Sequence, residues 1–229
     1  MDHLYNLASI LTPVGKALDA QAEPKTADNV GLAGIPERLE LFLPDEISVA
    51  NVAPILNALA TAPAGQKIEL HLRHNGGGDV DQMIELIKNL HETKAIVEIT
   101  FSRYVMSAAA TIWLWFRVWP TERVQSLPPR KPGVVMYHRP RLGDGMYVCF
   151  TDEMDDGHLL KGHFEKKFKL FDLLFEEMYL RMLASGNEGQ PAPVPEESKL
   201  NELNGLSYRH AIYRMRDSYY GNQDCLIPV

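Results

Sequence analysis

The sequence predicts an α/β fold built on a mainly parallel sheet. Three segments with the alternating or β-rich pattern of strands, beginning near residues 38, 68 and 95, are each followed by apolar residues at helical spacing. Strands that alternate with helices are typical of parallel sheets with right-handed crossovers. The 229 residues, 45% apolar and 23% charged, suit one globular domain.

An N-terminal segment differs from the rest of the chain. Pro13 and Gly15 interrupt a short run of helical spacing, and residues 19–36 are polar and rich in small side chains. Residues 1–36 are therefore expected to form an arm or linker. Residues 37–229 are expected to form the folded domain.

The first two strand–helix units are predicted between residues 38 and 90. Alternating leucines from residue 39 to residue 43 indicate a strand, and Ser48 is expected to cap a helix that Pro54 delays or kinks. A second strand is predicted over residues 68–74. After a glycine turn at residues 75–78, Asp79 is expected to cap a second amphipathic helix.

The pattern continues into the second half of the chain. A third strand is predicted from Ala95 to Phe101, followed by a buried helix from Ser107 to Trp119 that Pro120 ends. A short apolar strand is predicted from Val134 to Tyr137, and a last helix from Lys199 to Met215.

A long helix with a continuous apolar stripe is predicted between residues 155 and 186. The stripe consists of Leu160, Phe164, Phe168, Phe171, Phe175, Met178 and Met182. A helix of roughly 30 residues is about 45 Å long, which is more than one small core needs. We expect its far end to pack against another subunit, so that aspartate at Phe171 and Phe175 would separate the subunits.

Composition excludes several classes of protein. A formal net charge of −7 does not favour nucleic-acid binding through a basic face. Cys149 and Cys225 are too few for a disulfide scaffold and fit a reducing compartment. The densest apolar window, residues 105–118, is too short for a membrane span, and no signal peptide is evident. We expect a cytoplasmic protein without membrane or nucleic-acid partners.

The glycine turn is the first candidate functional feature. Asn75, Gly76, Gly77 and Gly78 join a predicted strand to a predicted helix. Glycines at the C-terminal end of a strand allow the backbone to approach a ligand closely, with amide hydrogens pointing outward. Glycine runs also occur in ordinary turns, and this spacing matches neither a dinucleotide-binding motif nor a P-loop.

Ser107 is the second candidate. It lies between the third strand and the buried helix and precedes three alanines. A serine at such a turn can present its hydroxyl above the sheet, while the next amide and the helix N-terminus face a developing oxyanion. An ordinary helix-capping serine is the alternative reading. Ser102, at the predicted end of the third strand, is the competing serine.

His138 is the third candidate. It directly follows the strand at residues 134–137. A histidine at the C-terminal edge of a sheet lies where α/β proteins bind ligands, and it can act as a general base near neutral pH. A loop histidine that only packs is the alternative. His158 and His163 lie five residues apart on a helix and do not align as ligands, so no metal or cofactor is expected.

The order of these elements resembles the Clp-type serine peptidases, the ClpP family of the crotonase-like fold. Residues 76–80 (GGGDV) are similar to the family's Pro-Gly-Gly-Ser-Val, and residues 106–110 (MSAAA) to its nucleophile segment. Residues 136–140 (MYHRP) are similar to its Met-Ile-His-Gln-Pro. The similarity covers roughly residues 37–215 and implies repeated ββα units with a long protruding handle helix.

The resemblance also implies roles for particular residues. Ser107 would be the nucleophile and His138 its general base, with the amides of Gly78 and Ala108 as the oxyanion hole. A serine nucleophile needs such a base and two fixed donors for the oxyanion.

The chain departs from the family pattern at four places, one of which is an extra segment, residues 123–132, ahead of the strand that precedes His138. Gly76 replaces a proline, and bulky residues 103–106 precede Ser107. The family places an aspartate before a Leu-Ser-x-x-x-Ala helix start, but residues 201–205, which precede the matching segment here, contain none. Asn204 or Glu202 is therefore the candidate for orienting the imidazole.

The function implied by the resemblance is that of a serine endopeptidase acting on peptides or unfolded proteins inside an oligomeric chamber. Its partners would be further copies of the chain in stacked rings and an ATP-dependent unfoldase, since the chain itself has no P-loop. A catalytically inactive ClpP-like structural or regulatory subunit is one alternative. A crotonase-type acyl-CoA enzyme is another, although no sequence signal for an adenine or pantetheine pocket is present.

Overall fold

The computed structural model describes residues 38–144, 147–150, 153–185 and 208–229. The strands are β1 (Arg38–Phe42), β2 (Lys67–Asn75), β3 (Ile96–Met106), β4 (Val124–Ser126), β5 (Val134–Tyr137), β6 (Leu142–Asp144), β7 (Tyr147–Cys149) and β8 (Cys225–Pro228). The helices are α1 (Val49–Thr61), α2 (Val80–Glu92), α3 (Ser107–Val118), α4 (Lys161–Ser185) and α5 (Tyr208–Tyr220). The predicted α/β class is confirmed. The arm expected at residues 1–36 lies outside the described residues.

The main sheet is mixed, with one antiparallel edge. Its strand order is β1-β2-β3-β5-β8, and β4 pairs with the first part of β3 while β5 pairs with its last part. All of these pairings are parallel except that of β8, which runs antiparallel to β5. Strands β6 and β7 form a separate antiparallel pair. This topology brings the C-terminal ends of β2, β3 and β5 to one edge.

The two faces of the central strands differ sharply. Ile68, Leu70 and Leu72 of β2 are buried in the core, whereas Glu69 and His71 between them are partly exposed. Parallel strands are usually apolar on both faces because both are covered. The alternation here shows that the helices cover the face carrying Leu70, and the opposite face remains polar.

Two helix starts agree with the sequence prediction, and one detail does not. Ser48 caps α1 by accepting a hydrogen bond from the amide of Asn51, and Asp79 caps α2 through the amides of Asp81 and Gln82. The helix α1 already begins at residue 49 and includes Pro54, so the predicted late start is wrong. The first turns of both helices are stabilised locally by the side chain before them.

The helix α3 is the most buried helix of the structure. Apart from Ser107 and Arg117, its residues are buried. Trp113 donates a hydrogen bond to the carbonyl of Leu127, and Trp115 donates one to His91 at 2.8 Å. The ring of Trp119, just past the helix end, lies 4.7 Å from that of Trp115. All three tryptophans of the sequence thus lie at this helix.

The long helix α4 begins later than predicted and packs on its own subunit. It starts at residue 161 rather than near residue 155. Phe171 and Phe175 are at most 1% exposed and stack with Tyr137 and Tyr219. The expectation that these two phenylalanines are available to a second subunit is therefore wrong. Leu180, at 56% exposure, is the large apolar side chain of the described part of α4 that faces outward most.

Candidate active site

The three candidate features meet where three neighbouring parallel strands end. The glycine turn follows β2, Ser107 follows β3, and His138 follows β5. Pairing of Asn75 with Val105, and of Met106 with Met136, aligns the strand ends. Because α/β sheets bind ligands outside the C-terminal ends of their strands, this edge is the natural place for a site.

Ser107 has a backbone conformation that a serine rarely adopts. Its φ is 52°, in the left-handed region, while Met106 before it is extended. A non-glycine residue held there costs about 1–3 kcal/mol, and such strain concentrates at functional sites. A strand, one strained residue and a helix make the sharp turn that lifts a serine hydroxyl above a sheet.

Ser107 is not an ordinary helix cap. The cap position of α3 belongs to Met106, and among the described residues no side chain caps this helix. Among the described residues the Ser107 hydroxyl makes no hydrogen bond to a first-turn amide, so the reading of Ser107 as an N-cap has no capping contact behind it. Uncapped amides in a first turn, beginning with Ala108, can receive negative charge from a ligand.

The glycine turn packs directly against this serine. A Cβ placed on Gly77 would lie 2.5 Å from the Cβ of Ser107 and 3.0 Å from the amide nitrogen of Ala108. Gly77 and Gly78 also have positive φ, at 93° and 135°, and a Cβ on Gly78 would overlap the backbone of Ile47. Only glycine fits at both positions. The turns that carry Gly78 and Ala108 are consequently in contact.

Asn75 fixes the shape of the glycine turn, a role the sequence analysis did not assign. Its fully buried amide donates to the carbonyl of Leu43 at 3.0 Å, and its carbonyl accepts from the amide of Gly77 at 2.9 Å. The alternation of β2 did not indicate this burial because the register shifts between Arg73 and Asn75, where His74 has a φ of 49°. A register shift reverses which side chains face the core.

His138 is buried and has a defined hydrogen-bond partner. It is 6% exposed, and its Nδ1 lies 2.6 Å from the backbone carbonyl of Arg139. A carbonyl oxygen can only accept, so Nδ1 carries the proton and Nε2 is left as an acceptor. Burial lowers the pKa of His138 below its ordinary value, although the hydrogen bond to Arg139 opposes the shift. The imidazole is thus neutral near pH 7, as a general base must be.

Ser107 and His138 follow adjacent, paired strands, but they are not joined. Within the ranges that the structure describes, no hydrogen bond links the Ser107 hydroxyl to the imidazole. Catalytic hydrogen bonds are often long or unformed in an empty site and shorten when substrate binds. The hydroxyl and the imidazole must therefore come closer before a proton could pass between the two.

In the part of the chain described, the hydrogen-bond partner of the His138 imidazole is a backbone carbonyl. Asn204 and Glu202 lie outside the described residues. The negative charge of Asp224 opposes the lowering of the His138 pKa, but this carboxylate is paired with Arg141 at 3.0 Å. The only described partner of His138 Nδ1 is the Arg139 carbonyl.

Ser102, the competing serine, lies in a different environment. It is inside β3, which continues to residue 106, so the predicted strand end at Phe101 is wrong. Its hydroxyl lies 3.4 Å from Nε2 of His71, whose Nδ1 lies 2.7 Å from the hydroxyl of Thr100. These groups line a cavity of about 770 Å³ on the polar face of the sheet. No helix begins at Ser102, so the first-turn amides that lie beside Ser107 have no counterpart there.

Among the described residues, neither a cluster of metal-ligand side chains nor a helix suited to span a bilayer is present. No group of three or more histidine, cysteine, aspartate or glutamate side chains is placed to hold a metal ion in these ranges. Of the helices described, none combines the length and apolar character that a bilayer span requires.

Comparison with known proteins adds no family. No model of a protein family matches the chain. No curated protein matches it significantly either. Function is accordingly inferred from the residues and their geometry.

Proposed function

We propose that the protein is a serine endopeptidase of the ClpP type, with the crotonase-like fold, acting on peptides or unfolded proteins. Ser107 is the nucleophile, His138 the general base, and the amides of Gly78 and Ala108 the oxyanion hole. The observation that carries the proposal is the strained φ of 52° at Ser107, held against the glycine turn by Gly77. Strain of this kind is concentrated at functional sites, and here the strained residue is a serine that begins a helix without a side-chain cap.

The proposed reaction follows from the positions of these groups. The Ser107 oxygen attacks the substrate carbonyl carbon while its proton moves to Nε2 of His138. The two amides stabilise the resulting oxyanion, and the loss of one such donor typically costs about 10²–10³ in rate. The imidazolium returns the proton to the leaving amine, and water then hydrolyses the acyl-enzyme in the same manner.

Because the partner of His138 Nδ1 is the carbonyl of Arg139 and not a carboxylate, we expect a low catalytic rate. The carbonyl selects the correct tautomer, but it carries no full charge to stabilise the imidazolium as a carboxylate does. Replacing the aspartate of a serine-protease triad by asparagine lowers kcat by about 10⁴. A substantial rate reduction is therefore part of the proposal.

A catalytically inactive subunit of the same fold is the second candidate. Two observations favour it: the unjoined Ser107 and His138, and the carbonyl as the only described partner of Nδ1. By the same resemblance, we propose assembly into stacked rings and an ATP-dependent unfoldase as partner for either candidate. Among the described residues of α4, we propose the exposed Leu180 as a contact between subunits, and its substitution tests the assembly.

A fluorophosphonate probe distinguishes the two candidates because it reacts with activated serines. The active enzyme should be labelled once per chain, and Ser107→Ala should abolish the labelling. Ser102→Ala is the matched control and should be labelled like the original protein. His138→Gln should slow the labelling by several orders of magnitude.

The outcomes separate cleanly. An unlabelled but folded protein at pH 8 supports the inactive subunit. Labelling that persists in Ser107→Ala, or that maps to Ser102 by peptide mass, contradicts the assignment of the nucleophile.

A further inference from the structure

The two residues that flank His138 are both bound to one turn of α4. The hydroxyl of Tyr137 donates to the backbone carbonyl of Phe171 at 2.9 Å. The guanidinium of Arg139 donates through Nε and Nη2 to the two carboxylate oxygens of Asp172 at 2.9 and 2.8 Å. His138 therefore lies between two residues whose side chains bind consecutive residues of α4. Tyr137 and its partner are 34 positions apart in the sequence, and Arg139 and its partner are 33 apart.

The Arg139 side chain is held more firmly than an ordinary surface arginine. It is only 15% exposed, and its guanidinium lies 4.6 Å from the ring centre of Tyr220 and 5.3 Å from that of Phe168. Asp172 is fixed in turn, since its Oδ1 also accepts from the hydroxyl of Tyr219 at 2.9 Å. Bidentate pairing and stacking on aromatic rings are both specific to arginine and are not reproduced by lysine.

Arg139 also touches the imidazole through its backbone. Its carbonyl oxygen is the acceptor that lies 2.6 Å from Nδ1 of His138. The residue is thus fixed at both ends, with its guanidinium on α4 and its carbonyl on the imidazole. A shift of the guanidinium would move the carbonyl away from Nδ1 and free the ring to change tautomer.

We propose that Arg139, clamped by Asp172, is the positioning residue that holds His138 in the Nδ1-protonated tautomer. The catalytic consequence of this role rests on the function proposed above, but the tautomer itself does not. Through this clamp, the orientation of the His138 imidazole depends on the position of α4. A displacement of this helix would therefore alter the site without any change in Ser107.

Arg141 provides the matched control. It lies two residues further along the chain and pairs with Asp224 through one contact of 3.0 Å. It is not among the hydrogen-bond partners of His138 in the described structure. A purely general effect of arginine pairs on folding would appear in both positions.

The test measures the ring nitrogens of His138 directly by ¹⁵N NMR of protein labelled at histidine. The His138→Gln spectrum identifies the signals. The original protein should show a neutral ring protonated at Nδ1, and Arg141→Lys should show the same. Arg139→Lys, which keeps the charge and loses the bidentate fork, should show a mixture of tautomers and a fluorophosphonate labelling rate lower by roughly 10- to 100-fold.

Each result has a definite meaning. If His138 in folded Arg139→Lys keeps the tautomer and the labelling rate of the original protein, the positioning role is wrong. If Arg139→Lys loses the tautomer but the original protein is never labelled, the positioning role stands and the proposed function fails. If Arg139→Lys does not fold, Asp172→Asn removes the same charge-assisted pair, and an unchanged His138 tautomer in that variant overturns the proposal.

Discussion

The Cα of Gly77 packs directly against Ser107, and there is no room for a methyl group between them. A Cβ on Gly77 would lie 2.5 Å from the Cβ of Ser107 and 2.8 Å from the carbonyl oxygen of Met106. The turn after β2 and the turn after β3 are therefore packed directly against each other, although about thirty residues separate them in the sequence. A change on one side of this contact must be transmitted to the other.

Alanine at Gly77 should damage both stability and the site. The substitution adds a side chain at a φ of 93° and forces it into the Ser107 turn. Strain and overlap together should lower the free energy of unfolding by about 3 kcal/mol or more. Urea unfolding measures this loss, and the fluorophosphonate labelling rate should fall with it.

Gly65→Ala is the control for that experiment. Gly65 also has a positive φ, 79°, but a Cβ there would meet nothing within 4 Å. The substitution should lower the free energy of unfolding only by the conformational strain, about 1 kcal/mol. Equal costs at Gly65 and Gly77 would show that the contact with Ser107 is unimportant.

Asn75→Ala should destabilise the fold through the glycine turn. The variant leaves the buried amide of Gly77 without its partner, at about 1–3 kcal/mol. The carbonyl of Leu43 loses one of its two donors and keeps the hydrogen bond from the amide of Arg73. Asn89→Ala removes hydrogen bonds made on the outer face of α2 and should change stability by no more than about 0.5 kcal/mol. Thermal and urea unfolding of the two variants provide the comparison, and similar values would contradict the proposed role of Asn75.

Stability should decrease as the pH falls from about 7 to 5.5. Desolvation lowers the pKa values of His71, His91 and His138 below the ordinary value for histidine. The His91 ring also accepts a hydrogen bond from Trp115. The unfolded chain binds protons at these histidines near pH 6.5, whereas the folded chain binds them only at lower pH. The unfolded state then holds more protons, so the free energy of unfolding rises with pH across this window.

Urea unfolding at a series of pH values tests this expectation. His91→Gln removes one of the three titrating groups and should reduce the slope of stability against pH. A free energy of unfolding that is constant between pH 8 and pH 5.5 would contradict the expected contribution of these three histidines.

Self-association is expected to depend on Leu180 and not on Phe175. Phe175 is fully buried, and its ring centre lies 3.8 Å from that of Tyr219, so Phe175→Asp should cost about 4 kcal/mol and unfold the chain. Leu180→Asp should leave each subunit folded and lower the sedimentation mass. A monomeric original protein at micromolar concentration would contradict the proposed chamber.

Local signals could be predicted from the sequence because their physics is local. The caps at Ser48 and Asp79 depend on side chains two or three residues from the amides they satisfy. The placement of Ser107 between a strand and a helix was likewise evident from the pattern and is confirmed. Each of these features follows from residues that are neighbours along the chain.

Features that depend on distant partners could not be predicted. Strand β3 continues through the polar Ser102 and Arg103 because Tyr104 pairs with Val134, thirty residues away. The stripe of α4 was recognised, but its covering surface was assigned to another subunit, whereas Tyr219 of α5 covers it. The clamp between Arg139 and Asp172 has no periodic signature at all.

The location of the tryptophans gives the protein an internal optical reporter. All three lie at α3, the helix that begins at Ser107, and Trp115 and Trp119 are close enough for their excited states to interact. The tryptophan fluorescence of the whole chain is therefore emitted from one helix, and that helix carries the candidate nucleophile. An event that moves this helix together with the Ser107 turn can therefore be followed by tryptophan emission, without an attached dye.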